Sequence, residues 1–183
     1  MTLDQQIQVW NAVGTWLAGL ATFAAVIVSL YLANRLSTPK AKLTVGHRII
    51  VEPGVKGPAP EYVLFQIVNT GERPIRVTGI GWKVGFWKKR EAIQLFEGLL
   101  SSPLPIELSH GQEAKWLVPL AAREEPWLTY FAKGMLFPNC QFSCFSLRAR
   151  AYISTGSVFE AKPDSSLLSK LRTACKEVAK DDG

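Results

Sequence analysis

Three cysteines and two histidines carry the nucleophilic and metal-binding potential of this 183-residue chain. Cys140 and Cys144 have three residues between them, which makes them half of a candidate metal site. A tetrahedral zinc site needs four ligands, and its usual pair has two intervening residues. His47, His110 and Cys175 are the residues available to complete it. A Cys–His pair drawing on His110 would be the nucleophile of a cysteine hydrolase, but no third, orienting group is marked. The other reading of Cys140 and Cys144 is as structural thiols in a strand. No G-x-S-x-G, phosphate-binding loop or dinucleotide glycine pattern occurs. Glu124-Glu125 opens a candidate helix, where carboxylates complement the dipole without a catalytic role. The expectation is a chain with no catalytic residue, no metal ligand and no cofactor.

The most pointed feature is the segment from Lys83 to Arg90, in which Lys83, Lys88, Lys89 and Arg90 surround Phe86 and Trp87. Cations with aromatics at a strand end fit anionic lipid headgroups, at about 1 kcal/mol per cation near a membrane surface. They equally fit a nucleotide, stacked and neutralised, with nucleic acid the weaker form of that reading. A solvated basic turn with Phe86 or Trp87 in the core is the plain alternative. The formal net charge of +6 agrees with an anionic partner, whether membrane surface, nucleic acid or acidic protein.

These residues have to be positioned by the rest of the chain, and its first element is an anchor. No charged side chain occurs between Asp4 and Arg35, and residues 13–33 are almost wholly apolar. A bilayer core about 30 Å thick needs roughly 20 helical residues. Val13, Leu17, Leu20, Phe23, Val26, Ile27, Val28, Leu30 and Leu32 favour insertion by about 3 to 5 kcal/mol together. Trp10, Trp16 and Tyr31 stand where interfacial aromatics belong. A cleaved signal peptide fits poorly: no Lys or Arg precedes the stretch, and bulky Tyr31 occupies the place of a small residue. Arg35, Lys40, Lys42 and Arg48 follow the helix, so the positive-inside rule puts the following domain in the cytoplasm of a cell inner membrane. An odd cysteine count agrees with reduced thiols there. Gly14, Ala18, Ala21 and Ala25 form a small-residue face that would let a second helix approach, either another copy or another membrane protein.

Ser37-Thr38-Pro39-Lys40 breaks the helix. Beyond it, strands are expected at residues 42–51, 62–69, 75–86, 92–96, 106–108, 114–120, 145–153 and 158–161, with a short helix at 123–136. Phe145, Leu147, Ala149, Ala151 and Ile153 alternate with polar or larger residues, the clearest period-2 run of the chain. Asp164 or Ser165 caps a last helix. Its apolar stripe is Leu167, Leu168, Leu171, Ala174, Cys175 and Val178. That stripe would pack on its own domain, or bind a partner helix or lipid through Leu167, Leu168, Leu171, Cys175 and Val178. The organisation expected is a tail and transmembrane helix over 1–36, a linker over 37–41, a β domain over 42–162 and a C-terminal amphipathic helix over 163–183.

Strands at this spacing suggest a two-sheet sandwich. The run F-x-I-x-N-x-G-x-x-P-I-x-V from Phe65 to Val77 resembles the second-to-third strand passage of immunoglobulin-like domains. That resemblance implies an immunoglobulin-like β-sandwich in which Trp82 fills the central core position. The inter-sheet disulfide of antibody domains has no counterpart here. The whole layout is similar to small bacterial single-pass membrane proteins of unknown function.

The functional expectation is a membrane-anchored, non-enzymatic adaptor or sensor whose cytoplasmic domain binds a protein or anionic ligand. One alternative is a membrane-disrupting effector, for example in bacterial defence against phage. A reversed orientation would make it an envelope binding domain.

Overall fold

In the computed structural model the described residues are 3–51, 59–86, 89–121 and 125–181. The chain divides into two units, Met1–Pro39 and Lys40–Gly183.

The first unit is one helix, α1, Leu3–Ser37. It starts ten residues before the apolar stretch, because the polar residues ahead of it contain neither Gly nor Pro. It stops two residues short of Pro39, whose ring cannot continue a helix. The portion Gln6–Ala33 is long and apolar enough to cross a membrane, and none of it is buried. Its 28 residues span about 42 Å at 1.5 Å per residue, more than the roughly 30 Å of a hydrocarbon core. The hydroxyls of Thr15 and Thr22 donate to the carbonyls of Asn11 and Ala18, each at 2.9 Å. Those polar groups are thereby satisfied inside the helix, as an apolar surrounding requires.

The second unit is mainly β, with two antiparallel sheets. One sheet has the order β1-β2-β6, from β1 (Ala41–Ile49), β2 (Glu61–Asn69) and β6 (Glu113–Pro119). The other has the order β4-β3-β7-β8, from β3 (Ile75–Val84), β4 (Arg90–Ile93), β7 (Arg148–Ile153) and β8 (Val158–Ala161). β5 (Ile106–Leu108) also pairs with β3. Three further helices follow: α2 (Trp127–Phe131), which runs on into a wider π turn over Ala132–Leu136, α3 (Cys140–Ser146) and α4 (Ser165–Asp181).

A buried asparagine organises the end at which the chain enters this domain. Asn69 is fully buried, yet its side chain donates to the carbonyls of Arg73 and Leu108, both at 2.8 Å, and accepts from Gly71 N–H at 2.9 Å. A buried amide with all these partners costs little and fixes the turn into β3. The backbone N–H groups of Thr70 and Gly71 both donate to the Lys40 carbonyl at 3.0 Å, so the first residue of the domain is held at the same end.

The core joins both sheets and the helices. Trp82 on β3 is 1% exposed, and its ring meets Phe65 of β2 at 4.9 Å, Phe131 at 5.2 Å and Trp127 at 6.0 Å. Its indole N–H donates to Gln94 at 2.8 Å. Aromatic contacts of this kind add about 0.5–1.5 kcal/mol per pair beyond area burial.

Two expectations need correction. The strand foreseen over 145–153 begins only at Arg148, because Cys140–Ser146 is helical. Phe145 therefore does not point into the core: it is 61% exposed, whereas Leu147, Ala149, Ala151 and Ile153 are buried. The C-terminal stripe is not free for a partner. Leu167, Leu168, Leu171, Cys175 and Val178 are all buried within the domain, where α4 packs on α2, α3 and β1. The apolar face of α4 completes the core that the sheets leave open.

Candidate binding surface

The three cysteines do converge, but from helices. Cys140 and Cys144 are four residues apart on α3, which puts them on one face. That face meets α4, where Cys175 neighbours both. Burial raises the Cys144 and Cys175 thiols above the usual range, and the neighbouring sulfurs push Cys175 higher still. The histidines are engaged elsewhere. His110 is bonded to the Gly71 carbonyl at 3.0 Å, and His47 contacts Glu61 at 3.1 Å. Among the described residues no group of three or more His, Cys, Asp or Glu side chains is arranged so that it could hold a metal ion. Glu61 is held below the usual carboxyl range chiefly by its hydrogen bond from Lys170, with His47 adding to the effect.

The basic segment divides. Trp87 and Lys88 lie outside the described residues. Lys83 is not an exposed cation: its side chain is largely covered on the sheet, 3.1 Å from Glu160. Glu160 also receives Arg150 at 2.6 Å, and Arg150 reaches Glu91 at 2.7 Å. Burial opposes the ionisation of Glu160, but hydrogen bonds from Arg150 and Lys83 outweigh it and hold the carboxyl low. Lys83 thus belongs to a charge ladder across β3, β7 and β8. Lys89 and Arg90 remain exposed, and Arg90 donates to the Phe137 carbonyl at 2.9 Å.

Phe86 contributes to a different surface. Gly85 leaves β3 with φ +91°, a conformation that favours glycine, and its N–H donates to the Ser146 hydroxyl at 3.0 Å. That hydroxyl donates in turn to the Ser143 carbonyl at 3.2 Å. The exit of β3 is thereby pinned to the end of α3, and Phe86 lands on the outer face of that helix. Its ring lies 5.7 Å from Phe142 and 6.4 Å from Phe145. All three remain at least half exposed, at 50%, 56% and 61%. The Lys162 ammonium sits 5.6 Å from the centre of the Phe145 ring, within reach of a cation–π contact.

Beside this trio, α3 and α4 enclose an open cleft of about 830 Å³, lined by Phe137, Asn139, Phe142, Arg172 and Lys176 among others. Phe142 belongs to both the trio and the cleft. β3 runs away from the end that holds Lys40, and ten residues at about 3.3 Å each place Phe86 roughly 30 Å from it. Sequence reasoning singled out Phe86 within the basic segment and set Arg172 and Lys176 off the apolar stripe of the last helix, but gave no role to Phe142 and did not bring these residues together. The usable signals were the three-residue step from Phe142 to Phe145 and the four-residue step from Arg172 to Lys176.

In the helical unit, Gly14, Ala18, Ala21 and Ala25 are all exposed, and a Cβ added at Gly14 would meet nothing. Within the chain that face has no partner among the described residues.

No protein-family model matches the chain, and no curated protein matches it. Among solved structures it is similar to a crystal structure of a Bordetella pertussis protein assigned as ApaA. The two are 15% identical, with 69% of this chain and 89% of that chain covered. The TM-score is 0.30, a likeness that carries no argument about fold or activity.

Proposed function

We propose that this chain is a membrane-anchored, non-enzymatic adaptor or sensor. In this reading α1 spans the inner membrane, and the second unit is an immunoglobulin-like β-sandwich in the cytoplasm that binds a protein or an anionic ligand. The observation that carries it is the surface of Phe86, Phe142 and Phe145 with its adjoining cleft, at the strand ends remote from Lys40. Exposed aromatics grouped with cations mark binding surfaces far more often than scattered apolar residues do. The contact of Phe65 with Trp82, one ring from each sheet, supports the sandwich. Orientation rests on Arg35, Lys40, Lys42 and Arg48 after the helix. Three free cysteines agree with a reducing compartment.

Topology is the test. A single cysteine at exposed Ser154, with Cys140, Cys144 and Cys175 changed to serine, is labelled in intact cells and in inverted vesicles. Labelling in inverted vesicles only is expected. Labelling from outside would overturn the orientation and turn the domain into an envelope binding module. Growth arrest with dye uptake on overexpression, abolished by changes in α1, would favour the membrane-disrupting alternative.

A further inference from the structure

We infer that the cleft between α3 and α4 docks an acidic peptide segment of a partner protein, one bearing an aromatic or long aliphatic side chain. The inference rests on the adaptor reading and names the chemistry of its ligand.

Charge argues first. Arg172 and Lys176 are one helical turn apart on α4, both exposed, and both line the cleft. Neither pairs with a carboxylate among the described residues, whereas Arg48, Lys83, Lys115, Lys133, Arg150 and Lys170 all do. Two like charges at that spacing repel each other weakly, and an incoming carboxylate relieves them. Arginine adds a planar fork that grips a carboxylate through two parallel hydrogen bonds. Among the described residues no carboxylate lines the cleft.

The remaining walls specify a peptide over a bare anion. Phe137 and Phe142 supply apolar surface, and Asn139 and Gln141 bring side-chain amides that can both donate to and accept from a peptide backbone. The cleft volume of about 830 Å³ falls in the range that buries a compact ligand. It then continues through Phe142 onto the ridge of Phe86 and Phe145, with Lys162 at its far side. An extended segment would place acidic residues against α4 and an apolar side chain against the rings. Aromatic and arginine side chains are the groups that dominate protein–protein binding energy. A lipid headgroup is the poorer occupant, because a bare phosphate would leave the Phe137 and Phe142 walls and the Asn139 and Gln141 amides unused.

The full chain in nanodiscs of neutral lipid is panned against a random peptide library, and the selected peptides are titrated by fluorescence anisotropy. Selection of Asp/Glu-rich peptides with an embedded Phe, Trp or Leu is expected. The R172E/K176E variant should weaken them by about tenfold or more, and Phe142→Ala by a similar factor, while Thr155→Glu at the opposite strand ends changes little. All four positions are exposed, so these variants should keep the wild-type melting profile. Raising salt from about 0.1 M to about 1 M shortens the screening length from roughly 10 Å to 3 Å and should weaken binding further. Failure to select acidic peptides, unchanged affinity in R172E/K176E, or displacement by phosphatidylglycerol vesicles would each overturn the inference. The Ser154 labelling separates the two failures. Cytoplasmic labelling with no acidic peptide removes this ligand and leaves the tethered domain, while external labelling removes the adaptor reading whatever the peptides do.

Discussion

Gly46 is needed for space alone. It sits in β1, and a Cβ added there would run into the Asp164 carboxylate. That carboxylate caps α4: it accepts the Leu167 N–H and the Ser166 hydroxyl, both at 2.9 Å, and Arg48 at 2.9 Å. Burial opposes ionisation of Asp164, but these donors together with the His47 N–H prevail and hold its pKa below the usual value. A carboxyl with a lowered folded pKa stabilises fully above its unfolded value, near 3.9, and loses that contribution as pH falls through the folded value. Asp164→Ala should therefore cost about 0.5–2 kcal/mol at neutral pH, with the gap from wild type closing below about pH 4. Gly46→Ala should destabilise by dislodging the same carboxylate. Its cost should shrink in an Asp164→Ala background, a non-additivity that thermal unfolding of the four proteins would measure. If the two costs simply add, Gly46 does not act through the cap.

At the scale of elements, legibility followed length and period. α1 was readable because 28 uninterrupted residues leave no competing pattern, and β2 and β3 because Asn69-Thr70-Gly71 and Pro74 punctuate them. α3 was not, since seven residues give barely two turns. Its outer Phe145 then reads as the first member of the period-2 run that continues through Leu147 and Ala149. Lys83 was legible near the end of a strand, but sequence could not show that Glu160, 77 residues away, would neutralise it. The α4 stripe was legible as apolar, while its burial depends on the gap the sheets leave. α1 also carries a prediction of its own. If the face of Gly14, Ala18, Ala21 and Ala25 packs against a second helix, Ala18→Leu/Ala21→Leu should abolish self-association in a membrane two-hybrid assay. Unchanged association would show that this face is only lipid-exposed.

Across the whole molecule, the division into helix and domain and the mainly β character were readable, because they rest on composition and on turn residues. The candidate surface was not, because it is assembled from segments far apart in sequence: the exit of β3, the outside of α3 and one turn of α4. A single sequence offers no signal that Phe86 and Phe142 will meet. The Gly85–Ser146 hydrogen bond, closed across 61 residues, is one of the contacts that bring them together.

The burial of the cysteines has a practical consequence. Cys144 and Cys175 are 0% and 3% exposed, while Cys140 is half-buried and lines the cleft. The wild-type chain thus carries a natural attachment point for a dye on the wall of its candidate site. A maleimide probe should modify Cys140 first in the folded protein and all three thiols after denaturation, a difference that intact-mass spectrometry would resolve. A fluorophore placed there would report occupancy of the cleft by its change in colour or polarisation, with no engineered residue in the chain.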